Sequence, residues 1–280
     1  MKKTLLNGAK NSNNQKGKYQ PQNGQSEKPL FGTKEWAKTN VNCVSGCNND
    51  CCYCYSKSMA IRFKRKTPDT WKNEEVDTNK VEKDYRKRDG VVMFPSSHDI
   101  SPNTVDACLV VLKKLLKAKN DVLVVTKPHL EVIKALCADL VEYQQQIVFR
   151  FTIGSSESDV LRFWEPGAPS YEERVASVMY ASLKGFKTSL SIEPCLDLRP
   201  DYVIDRVGQY ITNDVWIGLP NMLYERLSIN GANDAETLRK AKEIKKGQSR
   251  EWMRSLVEKY SDNPAIMWKD SIKKEISKNK

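Results

Sequence analysis

Short apolar runs alternate with stretches of helical periodicity through most of the chain. Five of the runs are typical of buried strands and lie at 91–94, 122–125, 147–153, 187–192 and 215–218. Another strand is expected near 40–44. Apolar residues at helical spacing predict helices over 104–117, 130–143, 171–183, 201–211 and, in one or two pieces interrupted near Gly247, 235–260. Continuously apolar strands separated by helices are typical of a parallel sheet covered on both faces.

Six βα units are too few for a complete eightfold barrel. We therefore predict an α/β fold built as a partial (β/α)6 TIM-type barrel of parallel strands, with a doubly wound sheet as the alternative. In both folds, ligands bind at the carboxyl ends of the strands. Polar residues and cysteines collect after the predicted strands: a cysteine cluster at 43–54, then Ser97, His98 and Asp99, Lys127, Ser155 and Ser156, Glu193, and Asn221. The site is therefore expected at that end of the sheet.

The chain divides into three predicted regions. Residues 1–29 are rich in Asn, Gln, Lys and Gly and lack hydrophobic periodicity, so a flexible, disordered polar tail is expected. Residues 30–225 carry the strand–helix alternation and form the predicted core barrel. Residues 226–280 are expected to form a C-terminal helical extension that packs on the core.

Composition and charge narrow the classes of protein. With 39% hydrophobic and 29% charged residues, the chain has a globular balance, and no apolar run approaches the roughly 20 residues of a membrane helix. The apolar pair Leu5-Leu6 is too short for a signal peptide, so a cytoplasmic location is expected. The net charge of +11 favours a polyanionic partner. A basic run within 60–90 is expected to form a surface helix and loop that flank the mouth of the barrel.

Five of the eight cysteines lie between 43 and 54, which is typical of metal binding in a cytosolic chain. Cys108 and Cys137 lie in helical apolar patterns and are predicted core residues. The residues alone are compatible with two alternative kinds of metal site. One is a zinc site formed by four cysteines of the cluster, Cys43, Cys47, Cys51 and Cys54. The other is an iron–sulfur cluster held by three thiolates, which leaves one iron open for a substrate or cofactor.

The spacing Cys47-x3-Cys51-x2-Cys54, with Tyr53 just before the third cysteine, resembles the signature of radical S-adenosylmethionine (SAM) enzymes. The resemblance implies a [4Fe–4S] cluster held by these three cysteines, SAM chelated at the open iron, and Tyr53 beside the adenine. It also implies an external reductant of the flavodoxin or ferredoxin type. The other two cysteines of the cluster fall outside the signature and are expected to be packing residues.

Further segments resemble the spore photoproduct lyase-like, or DNA repair photolyase-like, subgroup of these enzymes. The resembling segments follow one another along the chain in the subgroup's order and lie at 46–55, 124–127, 150–155 and 164–174. The resemblance implies that Lys127 and Ser155 contact the methionine carboxylate of SAM, and Ser97 is expected to add a hydroxyl donor. Arg174 is expected to reach the same carboxylate or to pair with a glutamate. Glu193 is expected to accept from the ribose hydroxyls of SAM or to act as an ion-pair partner nearby.

One departure from that subgroup concerns the hydrogen-atom donor. Spore photoproduct lyase keeps a cysteine at the end of its second strand, whereas serine stands there in this chain, within 95–99. A serine O–H bond is too strong for easy hydrogen-atom donation. Cys195, just past the fifth of the six predicted strands, is the candidate replacement, and His98 is a candidate acid or base toward the substrate.

The function predicted from these features is that of a radical SAM enzyme. It cleaves SAM reductively and abstracts a substrate hydrogen during modification or repair of a nucleic-acid base or nucleotide. The same chemistry on a peptide or small metabolite is the alternative. A non-catalytic, metal-containing nucleic-acid-binding protein is the third hypothesis, and metal analysis separates it from the other two.

Overall fold

The computed structural model describes residues 32–277, and the predicted tail at 1–29 lies outside the described residues. The strands, in chain order, are β1 (Thr39–Asn40), β2 (Val44–Ser45), β3 (Glu75–Val76), β4 (Val92–Phe94), β5 (Val122–Thr126), β6 (Ile147–Thr152), β7 (Lys187–Ile192), β8 (Val215–Ile217) and β9 (Ile266–Trp268). β2 and β3 form a short antiparallel pair. Within residues 32–277, the other seven strands form one parallel sheet whose order follows the chain.

Helices connect most of these strands. In chain order they are α1 (Tyr55–Arg62), α2 (Thr78–Glu82), α3 (Val105–Lys117), α4 (Leu130–Asp139), α5 (Ser158–Trp164), α6 (Tyr171–Leu183), α7 (Pro200–Val207), α8 (Leu223–Ile229), α9 (Ala235–Gly247), α10 (Arg250–Lys259) and α11 (Asp270–Ser277). Short 3-10 helices lie at Gly32–Glu35, Val141–Gln146 and Gly208–Tyr210. No helix within residues 32–277 is long and apolar enough to cross a lipid bilayer.

Local sequence explains both ends of α6. Ser170 precedes the helix, and its Oγ accepts a hydrogen bond from Glu173 N at 3.3 Å, which satisfies one of the first free amides. Gly185 follows the helix at φ = +83°, a conformation that glycine adopts without steric cost. The helix predicted over 171–183 therefore begins and ends where its capping residues require.

The sheet curls into a half barrel, so the predicted partial barrel is confirmed. The strand order does not reverse, which excludes the doubly wound alternative. The prediction of six strands omitted one, because β9 also joins the sheet, with Ile266 opposite Val215. β9 is as short as β4 and β8, which the sequence predicts, but it lies within 226–280, a region expected to be helical throughout.

The core lies between the sheet and the helices that cover it. Phe149 and Phe151 of β6 are fully buried, and the Phe149 ring centroid lies 5.2 Å from that of Phe186. Cys108 in α3 and Cys137 in α4 are buried, as predicted for core residues. The C-terminal region contributes β9 to this layer in addition to helices, and the boundaries of the three predicted regions stay predictions.

Because the seven strands are parallel, the half barrel has two chemically different ends. The carboxyl end consists of residues that follow the strands, such as Pro95, Lys127 and Glu193. The amino end consists of residues that precede them, such as Val91 and Asp121. These two names are used below for the two ends of the barrel.

Candidate active site

The cysteine loop, residues 46–54, leads from β2 to α1. Gly46 opens the loop at φ = +92°, and a Cβ at this position would lie 2.3 Å from the Asn73 carbonyl oxygen. The loop therefore requires glycine here for both its conformation and its space. Cys47 N then donates a hydrogen bond to Trp71 O at 2.9 Å, which fixes the first cysteine of the signature against the 64–74 segment.

The third cysteine of the signature, Cys54, also begins α1. Its Sγ accepts a hydrogen bond from Lys57 N at 3.3 Å, and its own backbone N donates to Cys51 O at 3.1 Å. A sulfur at a helix N-terminus lies at the positive end of the helix dipole, which favours the thiolate. Burial raises the pKa of the Cys54 thiol, and the Lys57 amide opposes that rise.

The three cysteines of the signature line one cavity of about 160 Å³ at the carboxyl end of the barrel. The wall continues with residues that end or follow β4, β5 and β6, namely Met93, Pro95, Ser96, Ser97, His98, Asp99, Val125, Thr126, Lys127 and Thr152. The predicted carboxylate-binding residues Lys127 and Ser97 therefore share a cavity with the thiols. Cys47 and Cys51 are only 8% and 6% exposed, so water screens their charge poorly.

The ionisable groups of this cavity shift one another's pKa values. Burial raises the pKa of Cys47 well above its usual range, and negative charge at Asp99 raises it further. Burial likewise raises the pKa of Cys51, while Lys127 opposes the rise. Burial alone lowers the pKa of Lys127, but the negative charges of Cys51, Glu165 and Asp99 outweigh it and leave the pKa above its ordinary value. Three thiolates in this cavity therefore need a positively charged group to stabilise them.

The four-cysteine zinc site is not formed in the structure. Cys43 is fully buried, does not line the cavity, and its Sγ lies 3.8 Å from the Sγ of Cys108. No three His, Cys, Asp or Glu side chains within residues 32–277 are close enough together to hold a single metal ion. Thiols that surround a common cavity without converging on one point suit a multi-iron cluster, in which each thiolate binds a different iron. The donor set thus fits a [4Fe–4S] cluster.

Asp99, just after β4, joins three parts of the cavity wall. Its Oδ2 accepts from Asn49 Nδ2 at 2.8 Å and from Lys127 N at 2.9 Å. Its Oδ1 accepts from Ile100 N at 2.8 Å and from the Thr126 hydroxyl. The cysteine loop is thereby fixed to the ends of β4 and β5. The sequence marked Asp99 only as a polar residue after a strand, since these partners are distant in the chain.

Asn230, at the end of α8, holds the cysteine loop from another part of the chain. Its Nδ2 donates to Cys52 O at 2.8 Å and to Cys54 O at 3.0 Å, and its Oδ1 accepts from Ser58 Oγ at 2.9 Å. Asn230 and Ser58 are buried, and Cys52 and Cys54 are partly buried. No sequence signal pointed to Asn230, because an isolated Asn after a helix is an ordinary turn residue.

The 164–174 segment, one of those that resemble the lyase-like subgroup, also packs on the cysteine loop. Cys52 N donates to Trp164 O at 2.9 Å. At Gly167, a Cβ would lie 1.9 Å from Asn48 O, so glycine is needed for the two backbones to approach. This segment therefore acts as a support for the loop.

Tyr53, Glu165 and Arg174 form a buried chain of contacts behind the cavity. The Tyr53 hydroxyl donates to Glu165, whose Oε2 lies 2.5 Å from Arg174 Nη2. Arg174 also donates to Pro169 O at 2.9 Å and to Thr152 O at 3.3 Å. Burial raises the pKa of Glu165, but the Arg174 charge outweighs it and leaves the pKa below its usual value. Of the two contacts expected of Arg174, the pair with a glutamate is the one that the structure contains, and its guanidinium is fully buried.

Three more predicted residues lie away from the cysteine cavity. The Ser155 hydroxyl donates to the Asp197 carboxylate, and Ser155 is not among the residues that line the cavity. The fully buried Cys195 thiol donates to Asp197 O at 3.2 Å, and this placement does not offer it to a substrate in the cavity. Glu193 lies 3.5 Å from Lys269 and lines a different cavity. Of its two predicted roles, this contact matches the ion pair.

His98 lines the cysteine cavity, but both of its ring nitrogens face backbone groups. Nε2 accepts from Cys43 N at 3.2 Å, and Nδ1 lies 2.7 Å from Asp99 O, to which it donates as the neutral Nδ1–H tautomer. This arrangement favours a positioning role for the loop after β4 over proton exchange with a substrate.

The basic run predicted to flank the barrel mouth divides between the two ends. Arg62 lies 2.6 Å from Glu225 in the first turn of α8, which follows β8 at the carboxyl end. Arg88 N, by contrast, donates to Asn120 Oδ1 at 2.8 Å, and Asn120 lies before β5 at the amino end. The prediction is therefore wrong for the 86–88 part of the run, because that segment precedes β4 and lies at the amino end of the barrel.

Comparison with family models matches residues 41–196 to the Radical SAM superfamily. The chain belongs to this superfamily. Radical SAM enzymes use a [4Fe–4S] cluster and SAM and require an external reductant. The matched range contains the cysteine loop and every residue of the cavity wall described above.

Solved structures of radical SAM enzymes share the fold. Spore photoproduct lyase complexed with dinucleoside spore photoproduct matches with a TM-score of 0.55 and 15% identity, over 85% of this chain and 78% of that one. A single-residue variant of spore photoproduct lyase matches with a TM-score of 0.51 and 16% identity over the same shares. SuiB of Streptococcus suis bound to S-adenosylmethionine matches with a TM-score of 0.50 and 11% identity, over 82% of this chain and 49% of that one. No curated protein matches the chain.

Proposed function

We propose that this radical SAM enzyme modifies or repairs a base of a nucleic acid or nucleotide, with its cluster held by Cys47, Cys51 and Cys54. The observation that carries the cofactor assignment is the single cavity lined by these thiols, Lys127 and Ser97. The three cysteines would hold the cluster beside SAM, and together the two cofactors would supply reductive cleavage of the sulfonium and, from it, the abstraction of a hydrogen atom from the substrate.

Lys127 and Ser97 bind the carboxylate of the methionine moiety. The raised pKa of Lys127 keeps its ammonium group protonated near neutral pH, which allows a charge-assisted hydrogen bond. The residue is positioned before any ligand binds, since its backbone N donates to Asp99 and its Nζ lies 5.9 Å from the centroid of the Tyr53 ring. A preorganised cation loses less entropy on binding.

Part of the wall of the same cavity is apolar. Trp71 and Met93 line it and are 3% and 4% exposed. Val125 adds a further apolar surface from β5. Apolar walls of this kind limit the access of water to a carbon radical and strengthen the electrostatic contacts of Lys127.

The buried residues behind the cavity act by positioning. Arg174 neutralises Glu165, and Glu165 holds the Tyr53 hydroxyl. The Tyr53 hydroxyl is therefore engaged by Glu165, and because Tyr53 does not line the cavity, its contact with the adenine rests on the resemblance alone. Ser155 and Cys195 do not line the cavity, and we assign neither of them a part in it.

Three features support a nucleic-acid substrate. The segments at 46–55, 124–127, 150–155 and 164–174 resemble the spore photoproduct lyase-like subgroup, and a lyase of the same fold was solved with a dinucleoside spore photoproduct. The net charge of +11 favours a polyanion. Arg62, which pairs with Glu225, places one cation of the basic run at the carboxyl end of the barrel. We assign the electron supply to a flavodoxin- or ferredoxin-type reductant.

Cofactor cleavage by the anaerobically reconstituted, dithionite-reduced protein tests the proposal. We expect slow formation of 5′-deoxyadenosine from SAM alone and faster formation when mixed-sequence oligonucleotides are added, both measured by chromatography. A Cys51→Ala variant gives the background. If no nucleic acid changes the rate, the substrate is a peptide or metabolite instead. Methylthioadenosine or S-adenosylhomocysteine as the sole product would show a different use of SAM.

A further inference from the structure

A second cavity, of about 580 Å³, lies at the carboxyl end of the barrel beyond β7, β8 and β9. Glu193, Leu219 and Lys269 line it directly after these three strands. It therefore lies at the same end of the barrel as the cysteine cavity. It is next to strands that do not contribute to the wall of the cysteine cavity. Met222 and Met253 add apolar walls.

The inner wall of this second cavity carries carboxylate oxygens that can accept hydrogen bonds and a buried lysine, Lys269, whose Nζ already donates to Gly32 O at 2.7 Å. Lys269 is only 2% exposed, and its Nζ lies 2.6 Å from Glu35 Oε2 and 3.5 Å from Glu193 Oε2. The Glu193 carboxylate is partly exposed, unlike its lysine partner. Burial raises the pKa of Glu193, and Lys269 opposes the rise. Polar atoms between apolar walls are typical of a pocket for a flat, polar-edged ring.

The α9–α10 side of the second cavity is basic, whereas the lining as a whole balances four cations against four carboxylates, namely Lys245, Arg250, Lys269 and Lys274 against Glu35, Glu193, Asp270 and Glu275. Residues 239–254, which span most of α9 and the start of α10, contain seven Lys or Arg and two Glu. Lys245 lines the cavity, and among the described residues it has no carboxylate within ion-pair distance. Arg250 also lines the cavity, and its Nε lies 3.6 Å from Glu275. The next residue after Lys245, Lys246, does not line the cavity.

The corner between α9 and α10 is fixed on the loop that follows β7. Gly247 packs so closely on Leu198 that a Cβ would lie 2.6 Å from its Cδ1. Gln248 Nε2 donates to Cys195 O at 2.8 Å, and Trp252 Nε1 donates to Leu198 O at 3.1 Å. The backbone that carries the cations of the corner is thus held in place relative to the strand ends, as a binding site requires.

We propose that the α9–α10 corner, through Lys245 and Arg250, binds the phosphate backbone of a nucleic-acid substrate whose target base enters the second cavity. This inference rests on the proposed function and specifies its substrate site. Cations on the outer side and carboxylate oxygens inside match phosphates outside and the amino group of a base inside. A peptide substrate would present no regular row of anions to these cations.

Binding of a fluorescently labelled single-stranded oligonucleotide to the full chain, measured by anisotropy, tests this inference. Lys245→Glu and Lys246→Glu change the net charge equally, but only Lys245 lines the cavity. We expect Lys245→Glu to weaken binding about tenfold or more, as loss of a charged contact does, and Lys246→Glu to weaken it much less. Equal weakening by the two variants, or no binding by the wild type, would overturn the inference.

Cofactor cleavage by the wild type keeps this test separate from that of the proposed function. If the wild type forms 5′-deoxyadenosine but the two variants bind the oligonucleotide equally, only the substrate site is wrong. If the wild type forms none after reconstitution, the proposed function fails, whatever the variants bind. Circular dichroism of both variants shows whether either substitution has changed the fold.

Discussion

Cys43 and Cys51 lie close together in the sequence and are both buried, but their surroundings differ. Cys43 is fully buried in the core, where its sulfur contacts that of Cys108 at 3.8 Å. Cys51 lines a cavity beside two other thiols and a lysine. The comparison teaches that burial alone does not separate a structural cysteine from a reactive one. What separates them is whether the thiol borders a cavity that other possible metal ligands also line.

The largest expected effect is loss of the cluster. Alanine at Cys47, Cys51 or Cys54 should abolish most of the bound iron and sulfide after anaerobic reconstitution, because each thiolate is assigned to one iron. Cys43→Ala should retain the cluster. Iron and sulfide analysis with visible absorbance gives the result. If Cys43→Ala lost the cluster while Cys54→Ala kept it, the comparison would be reversed.

The next effect concerns SAM binding by the cysteine cavity. Lys127→Met should weaken SAM binding by roughly ten- to hundredfold, since a hydrogen bond to a charged group contributes about 1.5–3 kcal/mol. Lys134→Met is a matched control, because Lys134 Nζ lies 5.9 Å from the Tyr180 ring just as Lys127 lies 5.9 Å from Tyr53.

Equilibrium dialysis of the reconstituted variants with SAM measures this difference. The control lysine is exposed and lies on α4, away from the cavity, so its removal should leave the affinity unchanged. Similar losses from the two variants would show that Lys127 acts through general charge and does not contact the carboxylate.

A smaller effect is expected on the stability of the apoprotein. Cys43→Ala and Cys108→Ala should each lower the free energy of unfolding by about 1–2 kcal/mol, because each leaves a gap in a packed core. Cys51→Ala should cost less, since its sulfur already borders a cavity. Urea unfolding of the cluster-free, reduced protein measures all three. A larger loss from Cys51→Ala would mean that its packing matters more than its access to the cavity.

The smallest effect is expected at the amino end of the barrel. Arg86→Glu combined with Lys87→Glu should leave the salt dependence of oligonucleotide binding nearly unchanged, because Arg88 next to them is fixed to Asn120 on the far side from both cavities. Polyelectrolyte binding through this end would instead flatten the slope by about 0.7 for each lost contact with a single strand. Titration at several salt concentrations distinguishes the two.

The sequence by itself determined the partial barrel and the three signature cysteines. Strand–helix alternation and a short cysteine spacing depend only on residues that are close together in the sequence, so they can be recognised without knowledge of the tertiary structure. The same reasoning placed Lys127 and Ser97 at the correct end of the sheet, because residues after parallel strands share that end.

Only the tertiary structure decided which of these polar residues face the cavity. Arg174 forms an ion pair with Glu165, and Ser155 and Cys195 donate hydrogen bonds to Asp197. β9 lies in a region that the sequence predicts as helical, and only its pairing with β8 shows that it is a strand of the sheet. The direction of a side chain after a strand depends on partners far along the chain, and the sequence does not show which partners the fold brings within hydrogen-bonding distance.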